Sequence, residues 1–74
     1  MMKEEIMERA KYNRMILDEF MKINSSVVIL DVEPGDQDDT SVPCDRGRWL
    51  KVITKNHGWL HVYLNKYTGK LEWY

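Results

Sequence analysis

Few side chains in this sequence could do chemistry: one cysteine, Cys44, two histidines, His57 and His61, and a crowd of carboxylates between Asp31 and Asp45. A nucleophilic site needs a thiol or hydroxyl beside an oriented base, and a zinc site needs several Cys or His at ligand spacing. Neither pattern is present. Cys44 has no signature around it, His57 falls in a turn, and a Cys44–His61 pair would rest on two residues of common type. The four glycines are scattered at turn-like positions, so there is no glycine-rich phosphate loop. A chain this small also rarely encloses the concave pocket that catalysis needs. The sequence predicts a protein that is not an enzyme and uses neither a metal nor a cofactor.

The carboxylates form a pattern of their own. "DVEPGDQDDTSVPCD", residues 31–45, contains six acids (Asp31, Glu33, Asp36, Asp38, Asp39 and Asp45) and no base. Their spacing does not fit a helix-flanked calcium loop, so a solvated acidic loop is the simpler reading. Residues 46–74 reverse the sign, with Arg46, Arg48, Lys51, Lys55, Lys66 and Lys70 against Glu72 alone. Five acids and five bases cancel over 1–24, so the net charge of −1 conceals segments of −6 and +5.

Three arrangements would account for that sorting. The loop could fold back on the basic strands, giving surface ion pairs worth about 0–1 kcal/mol each. It could instead meet a basic partner, such as a nucleic-acid-binding protein. Or the basic strands could themselves stack single-stranded nucleic acid. Pro34 and Gly35 eject the chain from its strand, and four of the six carboxylates crowd into Glu33–Asp39. That crowding favours a probe of a basic partner.

The elements that must position these residues are legible. Seventy-four residues suit one domain, 1–74, near the lower size limit for a single apolar core. The N-terminus lacks the apolar run of a signal peptide, and the longest apolar stretch, "VVIL", is far too short to cross a membrane. With a lone cysteine, these features predict a soluble cytoplasmic protein. Residues 2–23 carry Met2, Ile6, Ala10, Ile16, Leu17, Phe20, Met21 and Ile23 on one arc of a helix, with Asn13 among them as a hydrogen-bonded core residue.

Strands are predicted at about 27–32, 48–55, 59–65 and 70–74, with the acidic loop at 33–45. "VVILDV" is apolar on both faces, so it should be central or covered on both sides. Turns at "KNHG" and "NKYTGK" set Val52 opposite Val62, Leu50 opposite Leu64, Leu64 opposite Leu71 and Val62 opposite Trp73. Leu50, Val52, Leu60, Val62, Leu64, Leu71 and Trp73 then share the face that the helix covers. The fold class is α+β: one N-terminal amphipathic helix on a small, mainly antiparallel four-stranded sheet.

The opposite face carries Trp49, Lys51, Ile53, Trp59, His61 and Tyr63, with Lys70, Glu72 and Tyr74 from the last strand. Aromatic residues ringed by cationic ones are the types that dominate protein hot spots. The expected function is non-catalytic protein binding by a small inhibitor or adaptor, by analogy with phage inhibitors, immunity proteins and antitoxins. The binding residues would be Trp49, Lys51, Ile53, Trp59, His61 and Tyr63, with Glu33, Asp36, Asp38 and Asp39 from the loop. The partner is another protein or a second copy of the chain. Single-stranded nucleic acid ranks second, because a neighbouring charge of −6 repels phosphate.

Overall fold

The computed structural model describes residues 2–36, 38 and 41–74, with side chains from Ala10 onward except that of Arg46. The expectations that fell on Asp39 and on the side chains of Met2, Ile6 and Arg46 lie outside the described residues. In chain order the elements are helix α1 (Met2–Ile23), strand β1 (Ile29–Pro34), a single 3₁₀ turn (Asp45–Gly47), and strands β2 (Trp49–Thr54), β3 (Trp59–Leu64) and β4 (Leu71–Trp73). The strands form one sheet in the order β1-β2-β3-β4, and every pair is antiparallel.

α1 has no glycine or proline to interrupt it, and it lies across β2, β3 and β4. Ile16 and Phe20, one helical turn apart, are fully buried against Leu50, Val52 and Val62. Tyr12 and Leu17 extend the stripe, and the Trp73 ring meets Phe20 edge-on at 5.4 Å between centroids. The buried stripe is narrower than the apolar arc of the sequence, since Ala10, Met21 and Ile23 are exposed. Asn13 is not the core residue expected. It is half-buried and lines an open cleft of about 240 Å³ between α1 and β1, beside Leu17, Val32 and Leu50. At the C-terminus of α1, the Asn24 backbone N–H and side-chain Nδ2 both donate to the Phe20 carbonyl, at 2.9 and 3.2 Å.

The β3–β4 hairpin has the expected register, Leu64 opposite Leu71 and Val62 opposite Trp73. Asn65 Oδ1 accepts from the Tyr67 and Thr68 N–H groups, and Gly69 takes the left-handed conformation at φ 73°. The β2–β3 hairpin corrects its expected register by two residues: Val52 pairs with Leu60 and Leu50 with Val62. Thr54 is the cause. Its hydroxyl donates to the Gly58 carbonyl at 2.6 Å and accepts the His57 N–H at 2.9 Å, which draws 54–58 into the turn. A slip of two leaves every side chain on its expected face.

β1 departs further from expectation. It begins at Ile29 rather than residue 27, continues through Pro34, and is an edge strand, neither central nor covered on both sides. The register shifts between Ile29 and Asp31, which leaves Leu30 as the extra residue of a β-bulge. Both Ile29 and Val32 pack on the core, while Leu30 is 63% exposed and Val28 52%. The bulge lets an apolar run serve one core without a second layer.

Candidate functional site

The strand registers set out the face opposite α1 as rows. Asp31, Ile53 and Trp59 lie side by side on β1, β2 and β3. Next come Glu33, Lys51 and His61, and Tyr74 completes that row through reciprocal backbone bonds with His61 at 2.7 and 3.1 Å. In the third row Gly35 N–H donates to the Trp49 carbonyl at 2.8 Å, and Trp49 pairs with Tyr63, which pairs with Glu72.

The third row is sealed. The chain after β1 turns back over it, and Val42 and Cys44 pack with Trp49 and Tyr63 in a second buried cluster. Trp49 Nε1 donates to the Asp36 carbonyl at 2.9 Å, and Lys66 N–H donates to the Pro43 carbonyl at 2.9 Å. Gly35 permits this closure, because a Cβ there would overlap the Trp49 indole. The Tyr63 hydroxyl donates to Glu72 Oε1 at 3.1 Å, and Asn65 Nδ2 reaches the same oxygen at 3.0 Å. Burial, followed by that hydrogen bond to a carboxylate, pushes the Tyr63 phenol up to about 12. Trp49 and Tyr63 are therefore core residues of the loop–sheet cluster, and the binding surface expected of them is covered.

The other two rows remain open. Trp59 is 48% exposed and Tyr74 51% exposed, with half-buried His61 between them. The His61 ring stacks on Tyr74 at 4.2 Å and lies 4.6 Å from Trp59 and 4.7 Å from Trp49. The Lys51 ammonium sits over the Trp59 ring at 4.8 Å, and Ile53 is half-buried. Asp31, Glu33, Asp36 and Asp38 are exposed. Asp31 Oδ1 accepts from Val32 N–H and Asp36 Oδ1 from Asp38 N–H, both at 2.9 Å. Among the described residues these four make no ion pair with the basic strands; Arg14–Asp18 at 3.8 Å is the pair that forms.

The loop is held on the sheet by apolar contacts and backbone bonds, and Asp31, Glu33, Asp36 and Asp38 are exposed. Gly35, Val42 and Cys44 were absent from the sequence-derived site. Their signal is two apolar side chains, Val42 and Cys44, alternating within an otherwise polar loop. Cys44 is 5% exposed in apolar surroundings, where a thiol is little reactive. His57 lies in the exposed β2–β3 turn, and no group of three or more metal-ligating side chains occurs among the described residues. No helix among them is long and apolar enough to cross a membrane.

The geometry defines a small α+β protein with one sheet face half sealed by its own loop. No protein-family model, curated protein or solved structure matches the chain.

Proposed function

We propose that this protein is a non-catalytic protein-binding module, an inhibitor or adaptor, whose docking surface is the open half of the sheet face. One observation carries the reading. Trp59 and Tyr74 stay half exposed on either side of His61 in a continuous cluster of rings, while the same face buries Trp49 and Tyr63 under the loop. Exposed Trp and Tyr next to a rigid, packed neighbour are the anchors on which interface energy concentrates. The reading places Trp59, His61, Tyr74, Lys51 and Ile53 at the contact, with Asp31, Glu33, Asp36 and Asp38 at its rim.

Stacking of single-stranded nucleic acid is the second reading, favoured by the Trp59–His61–Tyr74 cluster with Lys51 above it. It is weakened by Asp31 and Glu33 on the same face, which repel phosphate.

Affinity capture from the cell that makes the protein, compared between wild type and Trp59→Ala, tests the proposal. A protein retained by the wild type and lost with Trp59→Ala, at unchanged melting temperature, is the expected result. Light scattering shows whether that chain is a second copy. Tight, salt-sensitive binding of oligonucleotides in place of any protein would overturn the proposal.

A further inference from the structure

We infer that the open half of the sheet face receives a basic segment carrying at least two arginines, one guanidinium stacked on the exposed rings and another paired with the β1 carboxylates. This rests on the protein-binding reading and adds the chemistry of the occupant. Asp31 and Glu33 are exposed on the same face as Trp59 and Tyr74, and neither has an ion-pair partner among the described residues. Lys51 stands opposite Glu33 in register, yet its ammonium lies over the Trp59 ring. Lys51 therefore forms no ion pair with Glu33, and the indole already serves as a seat for a cation.

Adjacent strands are about 4.8 Å apart, so the β1 carboxylates stand about 10 Å from the β3 rings across β2. That span suits successive side chains of one segment. Arginine fits better than lysine because its guanidinium is planar: it stacks on Trp and Tyr and meets a carboxylate with two parallel N–H groups. An acidic segment or a phosphate would be repelled by Asp31, Glu33, Asp36 and Asp38. Strand addition at the β1 edge is opposed by the bulge at Leu30, by Pro34 and by the edge acids. The partner must approach the face.

The test uses the full chain with fluorescein-labelled peptides of about ten residues alternating arginine and glycine, their lysine counterparts, and oligothymidylate, read by anisotropy at about 50 mM salt. The arginine peptide should bind at least about five-fold more tightly than the lysine peptide. Trp59→Ala and Glu33→Gln should each weaken it by about five-fold or more. Lys51→Met should strengthen it by about three-fold, because the competing cation is gone. Equal binding of the two peptides, or no effect of Glu33→Gln, would overturn the inference. If Trp59→Ala abolishes capture of a protein partner while the arginine peptide does not bind, the occupant is wrong and the protein-binding reading stands. If oligothymidylate binds more tightly than either peptide and Lys51→Met weakens it, both are wrong.

Discussion

Replacing Gly35 by alanine tests the closure of the loop over the sheet. The added methyl would fall on the middle of the Trp49 indole, against Cδ2, Cε2 and Cε3. The ring has little room to yield. It is 5% exposed, packed with Val42, Cys44 and Tyr63, and tied by Nε1–H to the Asp36 carbonyl. Forcing a methyl into such a site costs about 1–3 kcal/mol. If the indole turns aside it also loses its hydrogen bond, about 0.5–1.5 kcal/mol more. The sum, about 1.5–4.5 kcal/mol, corresponds to a fall in melting temperature of at least about 6 °C for a domain of this size.

Cys44, the only cysteine, reports the same event locally, because its thiol is buried between the loop and the sheet. Thiol labelling should accelerate by about ten-fold or more in Gly35→Ala at a temperature where the far-ultraviolet dichroism is still native. A melting temperature within about 2 °C of wild type, with unchanged labelling of Cys44, would refute the account of the closure.

Other perturbations follow from the same packing. Val62→Ala should cost about 2–4 kcal/mol in urea titrations, since Val62 is fully exposure-free beneath Ile16 and Phe20; a cost below about 1 kcal/mol would remove it from the core. Thr54→Val leaves the His57 N–H without its acceptor and the Gly58 carbonyl without the hydroxyl donor, for a loss of about 1–3 kcal/mol; no change would detach the hairpin register from this side chain. The raised Tyr63 pKa means that the neutral phenol is favoured in the fold, so its contribution is complete below the unfolded value near pH 10. It is lost as pH rises from about 10 to about 12. Urea midpoints should decline over that range, and Tyr63→Phe should decline less steeply; equal slopes would contradict the assigned environment.

Much of this fold is written in the residues, and the parts that are not have identifiable physical causes. The helical spacing of Ile16, Leu17 and Phe20 and the alternation of β2 and β3 place the core on the correct side of the sheet. The hairpin register is less visible, because Gly58 marks the turn but not the competing bonds of the Thr54 hydroxyl. The edge position of β1 is hidden by its bulge, since one inserted residue breaks the period-two rule by which "VVILDV" reads as apolar on both faces. At the site, Trp59, His61 and Lys51 are recognisable from type and face. The burial of Trp49 and Tyr63 is not, because it depends on Val42, Cys44 and Gly35 meeting them across a long loop. Charge pattern alone says little about how that loop is held: among the described residues Asp31, Glu33, Asp36 and Asp38 form no ion pair with the basic strands, and the apolar side chains of Val42 and Cys44 anchor it.

The central claim is that the open rows of the sheet face, and not exposed aromatic surface in general, bind protein. Tyr67 provides the control, because it is 79% exposed but lies in the β3–β4 turn away from those rows. The decisive measurement is the affinity of a captured partner for wild type, Trp59→Ala and Tyr67→Ala by surface plasmon resonance, with the melting temperature of each variant recorded. Loss of an anchoring aromatic should weaken binding by about thirty-fold or more in Trp59→Ala, while Tyr67→Ala stays within about two-fold of wild type. Weakening by Tyr67→Ala with full affinity in Trp59→Ala would place the interface elsewhere and contradict the account.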